Sequence, residues 1–104
     1  MENPVRMAEH IARINQRRSD LRDKIAAILP RGTTFVCEIG CGHGHFLAAY
    51  AAAHPDRVCI GIDISGERIG RAVRKRDRAK LSNLHFIQAE SGVFLDVLDR
   101  KSVV

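Results

Sequence analysis

The residues with the most chemical content lie between Phe35 and Leu47. An apolar run ending in Glu38 and Ile39 passes through Gly40, Gly42 and Gly44 into an alanine-rich segment. Glycine adopts positive φ and lets a ligand approach where a Cβ would block it. A helix starting beside such a turn offers unpaired N–H groups. This arrangement suits a ligand with a sugar or an anionic end. The spacing argues against two other ligand classes. A dinucleotide fingerprint would need a glycine where His45 stands. A phosphate-cradling loop would need Gly-Lys-Ser/Thr after it, and none follows. The bland alternative is a glycine-rich turn that binds nothing.

Three acids, Glu38, Asp63 and Glu90, fall at or near the ends of three expected strands. Ligands of open α/β sheets bind at that edge. A carboxylate at Asp63 can accept both hydroxyls of a ribose, and its loss is expected to weaken binding at least about tenfold. At a sheet edge it would be dispensable for folding. The alternatives are structural: Asp63 as a helix cap, and Glu90 as the cap of a helix beginning near Ser91. Cys41, His43 and His45 could be drawn as a metal cluster. Alternate residues on a tight turn diverge, however, and no second ligand pair sits at zinc spacing, so no metal is expected.

The elements that must position these groups follow from periodicity. Pro4 to Leu29 reads as helix, with Met7, Ile11, Ile14, Leu21, Ile25 and Ile28 in one stripe and Arg18 at its missing position. Asn3 is the expected cap, and a restart is allowed at Ser19-Asp20. Strands are expected at Thr34–Ile39, Val58–Ile62 and Leu84–Gln88. Helices are expected at Gly44–Ala53, from Ser65 to about Lys80, and around Val93, Phe94, Val97 and Leu98. Ile69, Ala72, Val73 and Ala79 should face inward. Strand and helix alternate, which predicts an α/β fold with a parallel sheet and right-handed crossovers.

The 104 residues carry 17 Lys and Arg against 12 Asp and Glu, a net charge of +5. That suits an anionic partner, nucleic acid being the commonest, and on charge alone a basic surface that only faces water accounts for it equally well. With four Phe, one Tyr and no Trp, stacking platforms for single strands are not evident. No apolar run approaches a membrane span, and Met1 to Arg6 lacks the apolar stretch of a signal peptide. Three cysteines, Cys37, Cys41 and Cys59, do not make a disulfide framework. A cytoplasmic protein is expected, with no membrane partner.

The glycine turn with its acid, then His54-Pro55-Asp56 leading into Gly61-Ile62-Asp63-Ile64, then Arg71-Ala72 and Asn83-Leu84-His85-Phe86, resembles the tRNA (guanine-N7)-methyltransferase family. That family lies within the Rossmann-like S-adenosylmethionine (SAM) methyltransferases, and the likeness runs from about Phe35 to Leu98. It implies a three-layer fold, here its N-terminal cofactor-binding half. Residues 1–33 would be a helical segment and 34–104 a partial SAM-binding domain. By position, Glu38 matches the first SAM-contacting acid, and Gly40, Gly42 and Gly44 the loop beneath the amino-acid part of SAM. Asp63 matches the ribose-binding acid, where the family often has Glu. Glu90 matches the acid near the adenine amine, where the family usually has Asp. The stretch Arg68 to Lys80 is basic in many members of that family too, so the resemblance does not require it to touch RNA.

The family continues into a fourth strand and a Pro-Asp-Pro-Trp motif, which would lie beyond Val104. Catalytic and tRNA-contacting residues are therefore left unassigned, and no methyl transfer is expected from the 104 residues alone. The resemblance implies a SAM-dependent enzyme acting on tRNA, with S-adenosylhomocysteine (SAH) as product. The alternatives are a non-catalytic SAM- or SAH-binding remnant, a homodimer formed through an open sheet edge, or a methyltransferase with another substrate.

Overall fold

Seven elements alternate along the described residues: α1 (Pro4–Ile28), β1 (Phe35–Ile39), α2 (His45–Ala53), β2 (Val58–Asp63), α3 (Gly66–Ala79), β3 (Leu84–Gln88) and α4 (Ser91–Ser102). The computed structural model describes residues 3–102, and the backbone alone for 99–102. Residues 1, 2, 103 and 104, the ends of the two expected segments, lie outside it.

α1 starts as its sequence dictates. Asn3 Oδ1 accepts from the Val5 N–H at 2.9 Å, and Pro4 occupies the first turn. The helix does not restart at Ser19-Asp20 but runs unbroken for 25 residues. No glycine or proline interrupts it, and Gln16 Nε2 donates to Asp20 Oδ1 across that point at 2.8 Å. Arg18, at the gap in the apolar stripe, forms an ion pair with Asp96 of α4. Only the C-terminal part of the stripe reaches the core: Leu21, Ile25 and Leu29 are buried, while Met7, Ile11 and Ile14 are exposed. Length explains the difference. A 25-residue helix is about 37 Å long, and five-residue strands span about 17 Å, so α1 overhangs the sheet.

The sheet is parallel, in the order β1-β2-β3. β2 is central and buried nearly throughout, as its unbroken apolar run predicts. β1 is only half-buried, because it has a strand neighbour on one side alone among the described residues. On one face Ile60, Ile62 and Ile87 pack with Leu21, Ile25 and Leu29 of the α1 segment and Phe94 and Val97 of α4. On the other, Cys59 and Leu84 pack with Leu47 and Ala51 of α2. α3 lies over β3 through buried Ile69 and Ala72, with Val73 half-buried and Ala79 exposed.

Asn83 plays a part that its turn position did not reveal. Its Nδ2 reaches the carbonyls of Ala51, His54 and Arg57 at 3.0, 3.0 and 2.9 Å. It thereby ties the entry to β3 to the whole α2–β2 connection. Asn83→Ala should lower stability by about 1–2 kcal/mol, read as a reduced urea midpoint with an unchanged slope.

Candidate functional site

The turn after β1 takes its shape from its glycines. Gly40, Gly42 and Gly44 have φ of 72°, 58° and 75°, values that cost other residues about 1–2 kcal/mol each. The Gly40 and Cys41 N–H groups both donate to Ile62 O, at 2.7 and 2.9 Å. The chain leaving β1 is thus folded across the end of β2. The glycines then divide by function. A Cβ on Gly40 or Gly42 would meet nothing within 4 Å, so both face open space. A Cβ on Gly44 would lie 2.5 Å from the Phe86 ring and 3.2 Å from Ala72. Gly44 is therefore a packing position, which lets α2 start directly over β3.

Strand register places the acids. Glu38 lies opposite Gly61, which lies opposite Phe86. Gly61 is small because the Phe86 ring and Cys41 Sγ fill its Cβ position, at 2.7 and 3.0 Å. Glu38 Oε1 is buried with no hydrogen-bond partner, and burial pushes the carboxyl above its ordinary value. An orphaned carboxylate oxygen beside an open glycine turn is unfinished chemistry: it lacks a donor.

Asp63 is finished. It stands at the sheet edge but is buried, at 6% exposure, and its bonds make it part of the fold rather than dispensable to it. Its Oδ1 accepts from the Ser65 N–H and its Oδ2 from the Gly42 N–H, both at 2.9 Å. Arg68 Nη1 approaches Oδ2 at 3.9 Å. The Ser65 hydrogen bond leads in holding the carboxyl below its ordinary value. Gly42, Arg68 and His43 add to it, against burial. Each carboxylate oxygen has a second lone pair, so two acceptor positions remain.

Glu90 is a helix cap. Its two oxygens accept from the Gly92 and Val93 N–H groups at 2.8 and 3.3 Å. It also lines a cleft of about 330 Å³ at the C-terminal edge of the sheet, with Gly40, Asp63 and Arg68. Glu38, Gly42 and Gly44 are not among its lining residues. Ile39, the last residue of β1, and Ile64, the residue after β2, give it apolar walls and are exposed at 45% and 69%. The sequence carried that signal, two isoleucines flanking the turn and the acid. The cysteines supply no nucleophile. Burial, then the Glu38 charge, pushes the Cys37 thiol up to about 11. Burial, then the Asp63 and Glu38 charges, does the same to Cys41, also to about 11.

A parallel sheet, a glycine turn over the central strand and acids at the strand ends define the site. A family model described as "Putative methyltransferase" matches residues 32–104. The chain belongs to this methyltransferase family. Among curated proteins it is similar to a tRNA (guanine-N(7)-)-methyltransferase of Cutibacterium acnes, 39% identical over 74 residues, covering 71% of this chain and 27% of that one. A protein of the same name from Clostridium beijerinckii is 36% identical over 73 residues, covering 64% and 33%. The chain thus spans about a quarter to a third of the length of these relatives. Among solved structures, "StiE O-MT residues 961-1257" matches 96% of this chain and 44% of its own at a TM-score of 0.57 and 17% identity. "The structure of PKMT2 from Rickettsia typhi" matches 66% and 19% at 0.50 and 22%. The fold is the N-terminal half of a Rossmann-like methyltransferase.

The two kinds of glycine should separate experimentally. Gly44→Ala forces both a strained φ and a clash with Phe86, and should cost more than about 2 kcal/mol. Gly42→Ala meets only the strain, about 1 kcal/mol. Thermal unfolding monitored by circular dichroism reads both, and equal losses would contradict the division.

The acids should have opposite pH signatures. Asp63 has a lowered folded pKa. Its stabilisation is present above the unfolded value of about 3.9 and is lost as pH falls through the lower folded value. Glu38 has a raised one, so its ionisation opposes folding above the unfolded value of about 4.3. Urea unfolding at pH 7 should show Asp63→Asn less stable by about 1–3 kcal/mol and Glu38→Gln more stable than the parent. Both differences should shrink toward zero well below pH 4.

Proposed function

We propose that the chain forms the cofactor-binding part of a SAM-dependent methyltransferase acting on guanine N7 of tRNA, with residues 34–104 as the binding unit and 1–33 as a helical segment packed on it. The observation that carries the cofactor reading is the orphaned Glu38 Oε1 two residues before a turn whose Gly40 and Gly42 face open space. These residues fit a ligand bearing an ammonium donor and a main chain that approaches glycine closely. SAM has such an end, and when bound it supplies a methyl group on a sulfonium.

The chain's own residues would hold that ligand as follows. Glu38 accepts from its amino group. Gly40 and Gly42 let its amino-acid part approach the backbone. Asp63 uses its two remaining lone pairs for the ribose hydroxyls. Ile39, Ile64 and Ala89 give the 330 Å³ cleft apolar walls for a flat base, and Glu90 sits at its rim. Gly44 acts indirectly, by seating α2. The substrate asks little more of a catalyst. Guanine N7 is a neutral ring nitrogen with a lone pair, so no proton must leave before attack, and positioning and exclusion of water dominate. The tRNA substrate rests on the names of the relatives and on the net charge of +5. A cytoplasmic location follows from the same reading, and among the described residues no helix is long and apolar enough to cross a membrane.

A second reading is a non-catalytic SAM- or SAH-binding module that pairs with another copy. It is favoured by the outer edge of β1, which has no partner strand among the described residues.

Glu38→Gln gives the clean test, because it should leave the protein more stable while removing the charge that meets the amino group. Calorimetric titration with SAH should show binding to the parent and at least about tenfold weaker binding to the variant. Equal affinities would remove Glu38 from the site. Light scattering on the same samples separates a monomer from the paired module.

A further inference from the structure

Six cations and two acids fall on the fourteen residues of α3, concentrating most of the chain's net charge of +5 on one helix. The packing fixes how they are presented. Ile69 and Ala72 are buried against the sheet, which turns Arg71, Arg74 and Arg78 outward at spacings of three and four residues. Lys75 stands beside them and touches His45, the first residue of α2. Acids neutralise little of this ridge. Glu67 pairs with Arg71, and Asp77 pairs with Arg76 on the flank. Among the described residues, Arg74 and Arg78 have no carboxylate partner. α1 carries a similar number of cations but intersperses them with Glu9, Asp20 and Asp23 and spends Arg18 on Asp96.

We propose that the outer face of α3, formed by Arg71, Arg74 and Arg78 with Lys75, is a contact surface for the phosphate backbone of RNA. The inference rests on the tRNA reading above and assigns that substrate a place on this chain. Self-repulsion among unpaired cations on one face is relieved when phosphates replace their counterions, which is how basic ridges gain affinity. The geometry adds direction. Arg68, one to three turns before these residues on the same helix, lines the cleft beside Asp63. A strand lying along α3 therefore leads, over about 15 Å, to the edge where the cofactor residues gather. Guanidinium groups in a row suit phosphate oxygens, which they can bind bidentately.

The test is the salt dependence of binding between the 104-residue chain and unmodified tRNA, from 50 to 200 mM salt. Each phosphate contact contributes about 0.7–0.9 to the slope of log affinity against log salt. R71Q/R74Q/R78Q should reduce the slope by about 2–3 and weaken binding at least tenfold at 100 mM. R71K/R74K/R78K should bind nearly as the parent. R6Q/R13Q/R22Q on α1 removes the same charge and should change the slope by less than about 1. Calorimetric SAH binding, unchanged in all variants, shows that the fold is intact. The proposal is overturned if the α3 glutamine triple keeps the parent slope, if the α1 triple loses as much, or if polyglutamate competes as well as RNA. A chain that binds tRNA through α3 but never binds SAH would sink the methyltransferase reading and leave this surface standing. SAH binding with tRNA affinity indifferent to α3 would do the reverse.

Discussion

The Asp63 carboxylate joins three elements at one point. One oxygen holds the Gly42 N–H, and with it the turn that leaves β1. The other holds the Ser65 N–H, and with it the residue whose hydroxyl caps α3 by accepting from the Arg68 N–H at 3.3 Å. Both bonds are made in a buried place where a charged acceptor is expensive unless it is well used. Because those donors are in place, Asp63 is ionised rather than neutral, and its charge stands at the sheet edge before any ligand arrives. The glycine turn has few side chains to fix it. Its position depends on this carboxylate and on the two N–H groups that converge on Ile62 O.

Glu38 is the counterpart, a carboxyl placed where the fold does not satisfy it. β1 register sets it opposite Gly61, and burial disfavours its charge. A protein selected for stability alone would gain by replacing it. An unpartnered buried carboxyl costs stability, a cost that functional groups commonly carry. The two acids differ in their neighbours: one sits among converging backbone donors, and the other keeps a buried oxygen without one.

Phe86 shows that small residues around the turn answer to packing as much as to ligand. Its ring occupies the space that side chains at Gly44 and Gly61 would need. The ring joins β3 to the start of α2. Of three glycines that look equivalent in sequence, two face open space and one closes the core.

Much of the architecture was legible in the order of residues. Unbroken apolar runs, glycine and proline punctuation and capping residues are local signals, and strand, helix and turn formation are largely local events, so the alternation and the parallel sheet followed from them. The alternate-glycine spacing likewise marked the turn after β1, because the positive φ values there call for glycine. What the sequence could not decide was partnership across the fold. The apolar stripe of α1 ran from Met7 to Ile28 with Arg18 at its one gap, but only tertiary structure determined that the sheet is too short to cover its first half. Asp63 and Glu90 looked like equal acids at strand ends, and only the folded chain buried one as a clamp and spent the other on a helix cap. Gly44 became a packing position because Phe86, more than forty residues away, arrived beneath it. Hydrogen bonds and clashes of that kind are made between residues distant in sequence, and no local pattern records them.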